Sequence, residues 1–218
     1  MKLDKDMLLL YAVTDRAWLG RKTLYEQIEE ALAGGVTLVQ LREKQLTRPE
    51  LIAEARALLP LCHSYGAPLI VNDDAEAAVL AGADGVHVGM EDCPVAELRR
   101  RFGPDLIIGA TAKTVEQARL AEAASADYLG VGAIFPSPTK SAALRITAGQ
   151  LKEICSSVRI PAVAIGGISG DNIAGLKGCG MAGFALVSAI FGAEDIRRAT
   201  AALKEQARRY GRINGTIT

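Results

Sequence analysis

Residues 69–92 read Leu-Ile-Val-Asn-Asp-Asp-Ala-Glu-Ala-Ala-Val-Leu-Ala-Gly-Ala-Asp-Gly-Val-His-Val-Gly-Met-Glu-Asp. The apolar run 69–71 predicts a strand, 74–81 a short helix and 85–88 a second strand, with an acidic loop after it. Strand, helix and strand in that order form a βαβ unit, whose strands are parallel and whose crossover is right-handed. Both strands then finish on one edge of the sheet, and both finish in acids: Asn72-Asp73-Asp74 after the first, Glu91-Asp92 after the second. Carboxylates that converge at neighbouring strand ends suit a hard, oxygen-seeking cation such as Mg²⁺. A structural alternative stands beside this one, because Asp74 and Asp92 each precede a helix and aspartate is a favoured N-cap. Asp73 is harder to explain by capping, since Asp74 can already serve.

The same alternation extends in both directions. Before the unit, 8–13 and 37–41 predict strands. Between them Leu24, Ile28 and Leu32 mark a helix that Gly34-Gly35 ends. Thr47-Arg-Pro-Glu50 has the form of a capping box and opens a helix toward Tyr65, which Pro60 should kink or shorten. After the unit come a helix over 94–102, a strand over 106–110, a helix from Thr114 to about Ala124 and a strand over 127–131. A long loop (132–146), a helix from Thr147 through Cys155, a strand over 160–165 and a short helix over 172–177 follow. A strand over 183–187 and an amphipathic stretch over 194–210 complete the pattern. Eight such repeats without a linker predict an α/β fold, a single (β/α)₈ TIM barrel over residues 1–218. An open doubly wound sheet is the alternative, but no Gly-x-Gly-x-x-Gly follows the first strand.

Bulk composition narrows the function classes. Half of the 218 residues are hydrophobic, and 25 basic residues balance 25 acidic ones. Zero net charge gives no electrostatic case for nucleic acid or an anionic membrane as partner. The four cysteines are scattered without C-x-x-C spacing, so reduced thiols are expected rather than a zinc or redox site. Residues 1–10 carry acids and too short an apolar run for a signal peptide, and no stretch reaches the length of a membrane span. A cytoplasmic protein is expected, and a homo-oligomer is compatible with the sequence.

In a barrel the active site lies at the C-terminal ends of the strands. The second strand continues as Val39-Gln-Leu-Arg-Glu-Lys44, and alternation places Gln40, Arg42 and Lys44 on one face. With Val39 and Leu41 packed outward, those three point into the barrel mouth and call for an anion, unless Glu43, Asp73 or another acid pairs with them. A Mg²⁺–diphosphate would answer both the cations and the carboxylates. Further polar groups stand after the fifth strand (Thr111, Lys113) and in the loop Gly130-Val-Gly-Ala-Ile-Phe-Pro-Ser-Pro-Thr-Lys140. Ile165-Gly-Gly-Ile168 and Val187-Ser-Ala-Ile190 follow the last two strands, where such barrels usually hold phosphate. His87 is expected to be a satisfied core histidine, and His63 a surface residue near a helix C-terminus. No Ser-His-Asp or Cys-His set disposes the chain to covalent catalysis.

Taken in order, Gln-x-Arg-Glu-Lys, Asn-Asp-Asp, Gly-Val-His-Val-Gly-x-Glu-Asp, Phe-Pro-x-Pro-Thr-Lys, Ile-Gly-Gly-Ile and Val-Ser-Ala-Ile resemble the thiamine-phosphate synthase (thiamine-phosphate pyrophosphorylase) family over about residues 11–190. The resemblance implies a transferase of thiamine biosynthesis. It joins hydroxymethylpyrimidine diphosphate to a thiazole phosphate with release of pyrophosphate, through a dissociative, carbocation-forming step. Gln40, Arg42, Lys44 and Asn72 would hold the pyrimidine diphosphate, helped by Thr111 and Lys140, while Asp73 and Asp92 would bind Mg²⁺. Ser137 and Thr139 would meet the thiazole phosphate, with Gly167, Val187 and Ser188 around its phosphate. Arg42, Lys44, Thr111 and Lys140 would carry the catalysis. The chain departs from the family's usual pattern at Thr111 (commonly Ser), Lys113 (often His), Met90 (often Gln) and Ser137 (often Thr), and it lacks an Asp soon after Lys140. Alternatives are a thiazole tautomerase on the same barrel and a non-catalytic barrel that binds thiamine precursors.

Overall fold

The computed structural model describes residues 2–136 and 144–211. Its core is a closed barrel of eight parallel strands in sequence order. The strands are β1 (Leu10–Val13), β2 (Leu38–Leu41), β3 (Leu69–Asn72), β4 (Gly85–Val88), β5 (Ile107–Ala112), β6 (Tyr128–Gly132), β7 (Ala162–Ile165) and β8 (Gly183–Leu186). The ring closes where Leu10 of β1 registers with Phe184 of β8. Around it run α1 (Leu24–Gly34), α2 (Arg48–Ser64), α3 (Ala75–Ala81), α4 (Val95–Phe102), α5 (Val115–Ala123) and α6 (Ala148–Ser156). A 3₁₀ turn (Ile173–Leu176), α7 (Ser188–Phe191) and α8 (Ile196–Tyr210) complete the outer ring.

Alternation along each strand sorts the side chains into two cores. Val39, Leu41, Leu69, Val71, Val86 and Val88 face outward against helix residues such as Ile28, Leu58, Leu98 and Leu151. Tyr11, Val13, Leu38, Ile70, Ile107, Tyr128 and Val163 fill the inside. Each fully buried Leu or Ile contributes roughly 1.5–3 kcal/mol, so both layers are needed to offset chain entropy. Helix starts follow the caps in the sequence: Thr23, Asp74, Thr114, Thr147 and Asp195 each accept a hydrogen bond from a backbone N–H in the first turn of the helix that follows.

Several boundaries differ from expectation by a residue or two, and three differences are informative. The first strand begins at Leu10, because Lys5–Leu8 form a 3₁₀ turn capped by Asp4. Pro60 neither ends nor shortens α2, which continues to Ser64. Burial of Leu58, Leu61 and Cys62 around it outweighs the ~3 kcal/mol that a helix-interior proline costs. Residues 172–177 hold only the 3₁₀ turn, which stops short of Gly178 at φ +79°. Among the described residues, no helix is long and apolar enough to cross a membrane.

Candidate active site

All eight strands point their C-terminal ends into one cavity of about 460 Å³. That volume lies in the range of small-molecule sites.

The end of β2 supplies its cations. Gln40, inward by alternation, is buried, and its Nε2 donates to the Tyr11 hydroxyl at 2.5 Å. Arg42 and Lys44 follow on the same face and line the cavity. Arg42 Nη1 meets Asp15 Oδ2 at 3.2 Å, while its Nε is buried without a protein partner among the described residues. Glu43 turns the other way and accepts from Arg16 Nε at 2.5 Å, so it competes for neither cation. Burial pushes the Glu43 carboxyl above the ordinary carboxylate range despite Arg16.

The ends of β3 and β4 supply the acids. Asp74 caps α3 by accepting from Ala77 N–H at 2.9 Å. Asp92 caps no helix: Pro94 holds that position for α4, and the Asp92 carboxylate instead accepts from Gly89 N–H at 2.7 Å. Asp73 sits in the left-handed region at φ +66°, a backbone that aspartate tolerates better than most residues. Its N–H is held by the His87 carbonyl at 2.9 Å, and Lys44 Nζ lies 2.7 Å from its Oδ2. The Asp73 and Asp92 carboxyls reach each other within hydrogen-bonding distance. Burial raises Asp92, and the neighbouring Asp73 charge adds to the rise. Partial burial also works against ionisation of Asp73, but Lys44 and Asp92 hold its carboxyl below the usual range.

Two carboxylates this close favour a shared proton or a cation between them. Among the described residues no cluster of three or more acid, His or Cys ligands forms a closed cage. The donor set nevertheless fits Mg²⁺, which commonly takes one or two carboxylates and fills its octahedron with water and substrate phosphate.

Inside the barrel, below these charges, Tyr11 and Tyr128 hydroxyls lie 2.7 Å apart. His87 Nδ1 is 3.1 Å from Tyr128 Oη, and its Nε2 is 3.1 Å from Thr111 Oγ1. Burial raises both phenols above their ordinary range, so both stay protonated at neutral pH. On the opposite wall Gly166 and Gly167 adopt φ +99° and +63°. A Cβ on Gly167 would strike the Pro136 and Phe135 carbonyls, so these glycines also let the loop after β6 pack closely. Val187 and Ser188 line the same wall.

The fold thus brings Gln40, Arg42, Lys44, Asn72, Asp73, Asp92, Thr111, Gly167, Val187 and Ser188 to one cavity. Ser137, Thr139 and Lys140 lie outside the described residues.

The model of the thiamine monophosphate synthase family matches residues 10–190. The chain belongs to that family. It is similar to the thiamine-phosphate synthase of Ruminiclostridium cellulolyticum, with 44% identity over 90% of this chain and 93% of that one. The thiamine-phosphate synthase of Clostridium tetani is 44% identical over 87% of this chain and 91% of its own. Among solved structures, thiamine phosphate pyrophosphorylase from Pyrococcus furiosus superposes with a TM-score of 0.86 at 38% identity, covering 94% of this chain and 98% of that one.

In this thiamine monophosphate synthase family member, sequence reasoning under-weighted the barrel floor. His87 was expected to be a satisfied core histidine; Tyr128 and Thr111 do satisfy its ring, which also borders the cavity, whereas Tyr11 and Tyr128 gave no signal of their own. One sign was present: inward-facing glycines sit opposite those rings. A Cβ on Gly109 would strike the Tyr128 ring and approach His87 Nδ1 to 2.5 Å, and one on Gly130 would come within 2.9 Å of His87 Cε1. His63 is at a helix end as expected, 2.9 Å from Asp84.

Proposed function

We propose that the chain joins hydroxymethylpyrimidine diphosphate to a thiazole phosphate, giving thiamine phosphate and pyrophosphate, as a cytoplasmic, Mg²⁺-dependent transferase. Family membership carries the reaction, and one observation carries the site: Arg42 and Lys44 line one cavity with Asp73 and Asp92, Lys44 directly against Asp73. Asp73 and Asp92 would hold Mg²⁺, which when bound neutralises charge on the diphosphate.

Arg42 and Lys44 bind the diphosphate oxygens, with Lys140 as a further cation. Gln40 and Asn72 orient the pyrimidine, and Thr111 offers a hydroxyl to the leaving group. The C–O bond between the pyrimidine methylene and the diphosphate breaks first. The thiazole nitrogen then forms the new C–N bond, and the electron pair of the broken bond departs with pyrophosphate. Such a step needs fixed positive charge and dipoles around the leaving group more than a strong base. Ser137, Thr139, Gly167, Val187 and Ser188 would cradle the thiazole phosphate.

Purified protein with both substrates and Mg²⁺ tests the reading: thiamine phosphate and pyrophosphate should form in equal amounts. Binding of both substrates without turnover would favour a precursor sensor, and isomerisation of the thiazole alone a tautomerase.

A further inference from the structure

The floor of the cavity carries an unbroken line of side-chain hydrogen bonds from β2 to β5. Gln40 Nε2 is 2.5 Å from Tyr11 Oη, which is 2.7 Å from Tyr128 Oη. Tyr128 Oη is 3.1 Å from His87 Nδ1, and His87 Nε2 is 3.1 Å from Thr111 Oγ1. The five residues come from β2, β1, β6, β4 and β5, and the two outer members, Gln40 and Thr111, both border the cavity.

We infer that this line has a single direction, and that it fixes His87 as the Nε2–H tautomer and Thr111 as a hydrogen-bond donor to the ligand. Each hydroxyl has one hydrogen to give. Gln40 donates to Tyr11, so the Tyr11 hydrogen goes to Tyr128. Tyr128 then donates to His87 Nδ1, which leaves that nitrogen without a hydrogen and puts the imidazole hydrogen on Nε2. Nε2–H donates to Thr111 Oγ1, and the Thr111 hydrogen is left to point into the cavity.

The reverse direction requires every bond to invert and the Gln40 amide to present its oxygen to Tyr11. A doubly protonated ring fits worse. Tyr128 would then accept from Nδ1 and donate to Tyr11, and the Tyr11 hydrogen would face two donors. The seat is built for this ring: glycines at 109 and 130 leave the space that the His87 and Tyr128 side chains occupy. Both phenols remain protonated because burial raises them.

His87, Tyr128 and Tyr11 are therefore positioning residues. They act through Thr111, whose hydroxyl is directed at an anionic oxygen of the substrate. That catalytic consequence rests on the function proposed above, whereas the direction of the line does not.

The chain has only two histidines, which makes the tautomer directly observable. In ¹⁵N-labelled His63→Gln protein, only the His87 ring contributes imidazole signals. At neutral pH the expected spectrum shows a protonated Nε2 and an unprotonated Nδ1. A protonated Nδ1, alone or with Nε2, overturns the inference. Tyr128→Phe removes only the hydroxyl that donates to Nδ1, and should convert the ring to a mixed or inverted tautomer. It should also lower kcat on the order of 10–100-fold, with a smaller effect on KM, as outer-shell partners do. In a Thr111→Val background the same change should cost less than about twofold, because both act through one hydroxyl. Fully multiplicative losses overturn the relay through Thr111. The expected tautomer together with an unimpaired Thr111→Val enzyme leaves the line's direction standing and removes Thr111 from the leaving-group site.

Discussion

Lys44 Nζ and Asp73 Oδ2 lie 2.7 Å apart, so the cation expected to grip phosphate and an acid expected to grip metal are one another's partners. Both are partly exposed, with 53% and 33% of their side chains accessible, and a pair in that setting contributes little stability. It is therefore inexpensive to open. On the function proposed above, a Mg²⁺–diphosphate would exchange this ion pair for two, with Asp73 and Asp92 toward the metal and Lys44 toward the phosphates.

Asp92→Ala follows from that arrangement. Among the described residues Asp92 caps no helix, and the hydrogen bond it accepts from Gly89 N–H is worth about 1 kcal/mol. The fold should survive by circular dichroism. Outer-sphere partners of metals typically cost 10–100-fold when removed, so a direct ligand should cost on the order of 100-fold or more in turnover. Steady-state rates over a Mg²⁺ titration provide the check. An unaltered Mg²⁺ dependence would remove Asp92 from the metal site.

Gly109→Ala probes the barrel floor. The new methyl would collide with the Tyr128 ring and press on His87 Nδ1, and Tyr128 is fully buried with its hydroxyl held between Tyr11 and His87. Overpacking a rigid core costs about 1–3 kcal/mol. Urea unfolding should show that loss, and turnover should fall with it because Thr111 loses its support. Gly130→Ala, whose closest contact is 2.9 Å from His87 Cε1, should be the milder of the two. Equal stability in wild type and Gly109→Ala would mean that the floor is looser than described.

How much of this was legible beforehand divides along physical lines. The barrel was, because each strand is a short apolar run and caps such as Thr23 and Thr147 announce their helices locally. The rim was also legible: Gln40, Arg42 and Lys44 are two residues apart, and a strand of period two must put them on one face. The floor was not. Tyr128 lies between Asp127 and Leu129 and reads as ordinary core, and its partners Tyr11 and His87 are supplied by strands far away in sequence. Only barrel closure joins them. Pro60 differed for the opposite reason, since local propensity allowed a shortened helix and α2 nevertheless runs on to Ser64 with its buried face intact.

The start of α1 carries a pH dependence of known sign. Glu26 Oε2 accepts from Thr23 N–H at 2.7 Å and from its hydroxyl at 2.8 Å, and these bonds hold the Glu26 carboxyl below the ordinary range. A carboxylate lowered by folding stabilises fully above its unfolded pKa and loses that contribution as pH falls through the folded value. Wild type should therefore exceed Glu26→Gln in stability at neutral pH, and the gap should close in acid. Thr23→Ala should cost about 1 kcal/mol at neutral pH. Denaturant midpoints at the two pH values decide it, and a gap that widens in acid would contradict the capping role.

Asp15→Asn separates what Arg42 needs for folding from what it needs for binding. The asparagine amide oxygen could still cap the turn that follows, as Asp15 does through Ala17 N–H at 3.0 Å, so the change removes charge and little else. Arg42, only 14% exposed, would lose its partner and keep a buried Nε. Leaving a largely buried cation unpaired should lower stability by about 1–3 kcal/mol. If Arg42 serves the diphosphate, pyrophosphate with Mg²⁺ supplies the missing anion, and ligand bound to the native state alone raises its stability by mass action. In the wild type the same ligand must first displace Asp15. Pyrophosphate should consequently raise Tm more in the variant than in the wild type, read by thermal unfolding at matched concentrations. An equal or smaller rise in the variant would show that Arg42 is committed to Asp15 and stays out of the phosphate site.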